Sequence, residues 1–297
     1  MLFQHDKPNF NTDGKRWPHR RLSRFVDAGG LAIHAQTMGE GEEILLLHGT
    51  GASTHSFRDM MPILAQRYRV TAIDLPGHAF SGTPLFTQMT LPGVADWVER
   101  FLRAENMTPV ALVGHSAGVA VAVRMALDAK EPPRAVVGFN ASLKPFAGAA
   151  GPIFSTMAKL LFVNPMTPRV LAATATKRRM EKLIADTGSK ISAEGLSYYQ
   201  TLFRRSGHVN GALSMMAGWD LVPLQLDLPR LKSRLTLVAG GGDRLIPGTV
   251  ATASAAKAPH GHVVRVPQLG HLSHEEDPEG ACEIVFQTLS EVSQQAA

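Results

Sequence analysis

The sequence predicts an α/β fold, a mostly parallel doubly wound sheet with an inserted helical cap, on three observations. Apolar strand patterns alternate with amphipathic helical segments from Arg21 to Asn140, the rhythm of a sheet covered on both faces. One of these strands, Leu112-Val113, runs directly into Gly114-His115-Ser116-Ala117-Gly118 and then a small-residue helix to about Leu127. The alternation stops after Asn140, continues as helical patterns alone to Leu221, and resumes with a strand at Arg234.

Each element follows from its residues. Residues 1–20 are polar and punctuated by Pro8, Gly14 and Pro18, and read as an extended arm. Arg21 to Asp27 and Leu31 to Thr37 form two strands around the turn residues Gly29-Gly30, a hairpin. Glu43 to Leu47 is a continuous apolar run, expected of a strand buried on both faces, and it ends on His48-Gly49-Thr50-Gly51-Ala52-Ser53. A helix over Phe57 to Tyr68 and a strand over Arg69 to Ile73 follow, closing on Asp74-Leu75-Pro76-Gly77-His78-Ala79-Phe80-Ser81-Gly82. Asp74 and Ser81 are expected to hold that loop. Thr90 caps a helix to about Asn106 whose apolar face is Val94, Trp97, Val98, Phe101 and Leu102. Pro109 to Val113 and Ala135 to Asn140 are the next strands. After the helical excursion come a strand at Arg234 to Ala239, a helix from about Gly248 to Ala258, a strand at Val263 to Val266 and a last helix from about Pro278 to Val292. These boundaries predict an N-terminal arm over 1–20, a core over 21–142 and 222–297, and a helical cap over 143–221.

A serine between two spaced glycines, set between strand and helix, is the nucleophile elbow of the α/β-hydrolase fold. The turn strains the serine backbone and brings strand and helix close together, so Gly114 and Gly118 stand where a Cβ would clash. The helix that follows aims its free N–H groups at the reacting oxygen, which makes the Ala117 N–H an oxyanion donor. The second donor is expected from the His48-Gly49-Thr50 turn, with Thr50 N–H chosen and Gly51 next to it.

The bulk composition narrows the function. The chain has 297 residues, 44% hydrophobic and 19% charged, enough for a large core. Its net charge of +5 and pI of about 9.5 permit anionic ligands, but no polybasic tail or basic helical stripe argues for nucleic acid. The one cysteine, Cys282, excludes a disulfide framework and a cysteine-based metal site. Met1 to Arg21 lacks an apolar signal core and no run approaches the length of a membrane span, so a soluble, cytoplasmic protein without a transmembrane segment is expected.

A serine hydroxyl is a weak nucleophile until a base takes its proton, and the base must be oriented by an acid. In this fold the chain order is serine, acid, histidine. Gly240-Gly241-Gly242-Asp243 follows the resumed strand and Leu269-Gly270-His271 follows the last one, so Ser116, Asp243 and His271 are the predicted triad. Asn140 occupies the earlier strand end where some hydrolases keep their acid, but an amide cannot hold an imidazolium electrostatically. The glycine run before Asp243 lacks the Gly-Lys-Ser/Thr of a phosphate loop. His271, His274, Glu275, Glu276 and Asp277 lack the spacing of a zinc motif, so no metal is expected, and His274 to Asp277 are read as capping the last helix. His48 and His115 flank the site in positions that are commonly structural. Gly51, His115, Met215 and Met216 are the candidate substrate-binding residues, the methionines reading equally as pocket lining or core. An aspartate nucleophile, needed by the haloalkane dehalogenases and epoxide hydrolases of this fold, is absent from the elbow. A serine triad requires no cofactor.

A narrower resemblance lies in the cap and its borders. Leu75-Pro76-Gly77-His78-Ala79-Phe80, the elbow with Arg124-Met125-Ala126-Leu127, and Asn140-Ala141-Ser142-Leu143-Lys144-Pro145-Phe146 are similar to the magnesium chelatase accessory proteins of bacteriochlorophyll biosynthesis. So are Asn164-Pro165-Met166-Thr167-Pro168-Arg169, Gly207 to Ala217 with Trp219-Asp220-Leu221, and Gly270 to Glu276. The resemblance runs from about Trp17 to the last helix. It implies an α/β hydrolase associated with tetrapyrrole synthesis, with a small-molecule substrate such as a porphyrin or its ester and with magnesium chelatase subunits as partners. The cap combines apolar Ile153, Phe154, Leu160, Leu161, Phe162 and Met166 with basic Arg169, Lys177, Arg178, Arg179, Lys182, Arg204 and Arg205. Such a surface suits a flat apolar disc with carboxylate edges, or is an ordinary amphipathic cap with a solvated basic face. Two classes of function stay open: hydrolysis of an ester or acyl bond, general carboxylesterase and carbon–carbon hydrolase activities included, and non-catalytic binding of porphyrin or chelatase.

Overall fold

The structure, a computed structural model, describes residues 6–144, 164 and 166–296. Its eight strands are β1 (Ser23–Asp27), β2 (Ala32–Met38), β3 (Glu43–Leu47), β4 (Arg69–Ile73), β5 (Ala111–His115), β6 (Ala135–Phe139), β7 (Arg234–Gly240) and β8 (Gly261–Val266). They form one sheet in the order β1-β2-β4-β3-β5-β6-β7-β8. β2 pairs antiparallel with β1 and β4, and every other neighbour is parallel. This is the expected mostly parallel sheet, opened by a hairpin.

The helices are α1 (Met60–Leu64), α2 (Leu91–Ala104), α3 (Ala117–Asp128), α4 (Thr167–Ala173), α5 (Lys177–Asp186), α6 (Ala193–Phe203), α7 (Ser206–Gly218), α8 (Val222–Asp227), α9 (Gly248–Ala255), α10 (Ser273–Glu276) and α11 (Pro278–Ala296). Alternating strand residues divide the core in two. Leu45, Leu47, Leu112, Val136 and Leu235 meet α2, α3, α8 and α9 on one face. Ile44, Leu46, Val113, Val137 and Val238 meet α1 and α11 on the other. The α2 face forms as its periodicity predicts, with Thr90 Oγ1 accepting the Gly93 N–H at 3.2 Å. Among the described residues no helix is long and apolar enough to cross a membrane.

Three expectations change. The arm over 1–20 is not extended throughout, since it makes a 3₁₀ turn at Asp13–Arg16 with Arg20 Nη1 donating to the Gly14 carbonyl. The helix over Phe57 to Tyr68 shrinks to a 3₁₀ turn at Thr54–Phe57 and the short α1, because Pro62 has no N–H and is tolerated only in a first turn. His274 to Asp277 do not act together as a cap. Only Asp277 does so, its Oδ1 accepting the Gly280 N–H at 2.9 Å. Glu276 accepts the backbone N–H groups of Gly270 and Lys190. His274 is wholly buried with Phe57 and His115 against its ring. Glu275 is buried against Arg58 Nη1 and Tyr199 Oη, each 2.6 Å away.

Between β6 and β7 the described chain is helical, α4 to α8. Of the apolar residues expected on this insertion, Ile153, Phe154, Leu160, Leu161 and Phe162 lie outside the described residues. Arg205 joins the N-terminal arm through Asp6 and Asp13, each at 2.7 Å, and Trp17 packs edge-on against Phe80 and Tyr198. The arm thus straps the insertion to the core.

Candidate active site

β5 ends at His115 and α3 begins at Ala117, leaving Ser116 alone to make the turn. Its φ of 48° and ψ of −114° are sparsely populated for a residue with a Cβ. The conformation is held by bonds on both sides of the serine: its N–H donates to Phe139 O at 2.9 Å and its carbonyl accepts the Ser142 N–H at 3.1 Å. The close crossing of α3 over β3 requires Gly118, since a Cβ there would collide with the Leu47 and His48 carbonyls. Ser116 is half-buried, and its hydroxyl hydrogen-bonds to no described residue.

Asp243 and His271 stand beyond the carboxyl ends of β7 and β8. Asp243 Oδ2 receives the His271 Nδ1–H at 2.9 Å and the Asn140 amide at 2.8 Å. Its Oδ1 receives the N–H groups of Leu245 and Ile246 at 2.8 and 2.9 Å. Burial pushes this carboxyl up, but the His271 hydrogen bond and charge, with the Ile246 and Asn140 donors, outweigh it and hold the group below its usual range. The carboxylate can only accept, so the imidazole proton sits on Nδ1 and the Nε2 lone pair is left for a hydroxyl proton. The elbow is tied to this loop: His115 Nε2–H donates to the His271 carbonyl at 2.9 Å.

The turn after β3 meets the elbow. A Cβ on Gly49 would lie 3.1 Å from Ser116 Cβ, so His48-Gly49-Thr50-Gly51 borders Ser116. The N–H groups of Thr50, Gly51 and Ala117 donate to no described residue. Thr50 Oγ1 donates to Met215 Sδ at 3.3 Å. Met215 is buried and Met216 half-buried on α7.

His115 has the surroundings of its structural reading. It is 2% exposed, with its ring 4.9 Å from that of His271 and 4.3 Å from that of His274. Its ring lies between His271, His274 and the Gly49 turn, where a Cβ on Gly49 would come within 2.7 Å of Nδ1. Burial, then the neighbouring His271, pushes it down to about 3, so the ring is neutral. His48 is structural as expected: its Nδ1–H donates to Gly49 O at 2.7 Å and its Nε2 accepts the Leu75 N–H at 2.8 Å. Asp74 receives Thr54 N–H, Phe80 N–H and His34 Nδ1–H, and Ser81 Oγ–H donates to the Asp74 carbonyl.

Sequence reasoning missed two residues. In the sequence Asn140 reads only as a candidate acid, yet it is the hydrogen-bond partner of Asp243. Its φ of 50° is one that asparagine tolerates better than most, and no pattern in the chain marks its partner. Thr187 leaves no signal: its carbonyl accepts from Arg244 N–H and His271 N–H, tying the insertion to the loops that carry Asp243 and His271.

The profile of the alpha/beta hydrolase family matches residues 44–284. The magnesium-chelatase 30 kDa subunit of Rhodobacter capsulatus is 40% identical over 276 residues, 92% of this chain and 96% of that protein. A pimeloyl-[acyl-carrier protein] methyl ester esterase of Xanthomonas oryzae pv. oryzae is 27% identical over 80% of this chain and 91% of its own. In structure, an esterase from Exiguobacterium antarcticum superimposes with a TM-score of 0.75 at 18% identity, covering 92% of this chain and all of that one. With a family match over most of its length and a relative of this identity along nearly all of it, the chain belongs to the α/β-hydrolase family, alongside the magnesium-chelatase 30 kDa subunit.

Proposed function

We propose that the protein is a serine hydrolase that cleaves an ester or related acyl bond, acting in magnesium-tetrapyrrole metabolism. The observation that carries the reading is the Asp243–His271 hydrogen bond of 2.9 Å beside a serine held at a φ of 48°. His271 Nε2 takes the Ser116 proton as Oγ attacks the acyl carbon. Asp243 stabilises the imidazolium so formed. The tetrahedral oxyanion rests on the N–H groups of Ala117 and Thr50, His271 returns the proton to the leaving alcohol, and water repeats the sequence to free the acid. The pathway half of the proposal rests on the name of the R. capsulatus relative. That same name favours a second reading, in which the chain binds porphyrin or chelatase and the triad is idle.

The first half is tested with a fluorophosphonate probe. Wild-type protein is expected to be labelled at Ser116, and His271→Ala to lose labelling while keeping its circular dichroism spectrum. Wild type left unlabelled counts against the hydrolase. The second half is tested in R. capsulatus lacking its relative. Pigment restored by wild type and equally by Ser116→Ala would leave only the binding role.

A further inference from the structure

His208 is wholly buried on α7, a helix of the insertion. Its Nδ1 receives the Ala79 N–H at 3.0 Å. An amide N–H can only donate, so Nδ1 carries the lone pair and the ring proton is on Nε2. That proton is donated to the Gly51 carbonyl at 3.0 Å. Both backbone partners are in the left-handed region, Gly51 at φ 78° and Ala79 at φ 40°, where a loop needs outside bonds to stay in place. Burial, against the Gly51 hydrogen bond, pushes the imidazole down to about 4, which keeps this donor–acceptor pattern at neutral pH.

Gly51 directly follows Thr50, and a glycine leaves its own peptide planes the freest to rotate. Two groups restrain it: the His208 ring on its carbonyl, and Phe203, whose Cζ lies 3.0 Å from where a Cβ would be. The same helix face reaches further. His208, Gly211 and Met215 stand at i, i+3 and i+7, one stripe of a helix. Gly211 packs backbone to backbone on Gly77, and Met215 Sδ takes the Thr50 hydroxyl.

We propose that His208 is a positioning residue that holds the Gly49–Gly51 turn in register with Ser116, so that the insertion completes the oxyanion site. The chemical consequence rests on the serine-hydrolase reading above, whereas the loop geometry does not. An oxyanion donor acts only if it is fixed before charge develops, and this turn is fixed from a helix that is remote in sequence.

The test compares His208→Asn with His208→Gln. The shorter asparagine amide keeps an acceptor for Ala79 but falls short of Gly51, whereas the glutamine amide reaches the Gly51 carbonyl. Hydrogen exchange of the 49–53 segment reads the loop, and p-nitrophenyl acetate hydrolysis reads its effect. Asparagine is expected to speed exchange of 49–53 without changing that of α3, and to lower kcat about tenfold or more at nearly constant KM, less than the loss of a donor itself. Glutamine is expected to restore both. Unchanged exchange of 49–53 in His208→Asn, or equal effects of the two variants, overturns the proposal. If wild type proves inactive while the asparagine variant still loosens the turn, the hydrolase reading fails and the positioning role stands. Should His208→Asn not fold, glutamine with wild-type exchange and kcat supports the proposal, and glutamine lacking either overturns it.

Discussion

Asn140 donates its side-chain amide to the same Asp243 oxygen, Oδ2, that receives the His271 Nδ1–H, at 2.8 and 2.9 Å. The asparagine is itself gripped, its Oδ1 accepting from Ser273 Oγ at 2.5 Å and its amide also donating to Gly270 O at 3.1 Å. It therefore orients the Asp243 carboxylate. Asp243→Asn is expected to slow acylation by roughly 10⁴-fold, as loss of a triad aspartate does. Asn140→Ala should cost about ten- to a hundredfold, the range of one hydrogen bond to a charged group. Because the two side chains touch, Asn140→Asp with Asp243→Asn moves the carboxylate to the neighbouring strand end and should recover part of the loss of Asp243→Asn. Stopped-flow acylation by a p-nitrophenyl ester measures all three; Asn140→Ala as harmful as Asp243→Asn would sink this division of roles.

The elbow predicts a conflict between stability and activity. Ser116 sits at a φ of 48°, which glycine adopts without strain. Ser116→Gly is expected to gain roughly 1 kcal/mol of stability while abolishing phosphonate labelling. A thermal midpoint below that of wild type would show that the turn is not strained.

The ion pair beneath the insertion makes an asymmetric prediction. Arg58 Nη1 and Tyr199 Oη both hold the buried Glu275 carboxylate at 2.6 Å. Arg58→Met leaves that carboxylate without its countercharge and should cost about 3–5 kcal/mol. Tyr199→Phe removes one donor, at about 1.5–3 kcal/mol. Arg58→Met with Glu275→Met should be more stable than Arg58→Met alone, as denaturant midpoints would reveal. Strict additivity of the two changes would contradict the coupling.

Buried neutral histidines set the response to acid. Burial, with the neighbouring imidazoles and the Arg58 guanidinium, pushes His274 well below its ordinary value of 6.5; His208 is pushed down to about 4 and His115 to about 3. As pH falls below 6.5 the unfolded chain binds protons that the folded chain refuses. Stability is therefore full above that pH and declines toward pH 4, at up to roughly 1.4 kcal/mol per pH unit for each histidine. His274 has no hydrogen-bond partner among the described residues and packs against Phe57. His274→Phe should therefore flatten the slope of urea midpoint against pH, and an unaltered slope would refute its share.

Local pattern was enough for the sheet and the elbow. Glu43–Leu47 and Arg69–Ile73 form the expected strands residue for residue, because strand and helix are set by side-chain period and by glycine and proline, which are properties of neighbouring residues. Ser116, Asp243 and His271 were legible as candidates for the same reason: each ends or follows a strand of one parallel sheet, and such a sheet gathers its strand ends at one edge.

Only the tertiary structure decided what stands behind those residues. Glu275 reads as a helix-capping acid, yet its partners are Arg58, 217 positions away, and Tyr199, 76 away. The Asn140 amide reaches Asp243 across 103 positions and the His208 imidazole reaches Gly51 across 157. None of these pairs leaves a periodic trace in the chain, because a hydrogen bond depends on where packing brings two groups and not on how many residues separate them. Composition and spacing thus determine the elements and the order of the reactive groups. The orientation of the acid, the placement of the turn beside Ser116 and the neutrality of the histidines around it follow from burial, which exists only once the chain has folded.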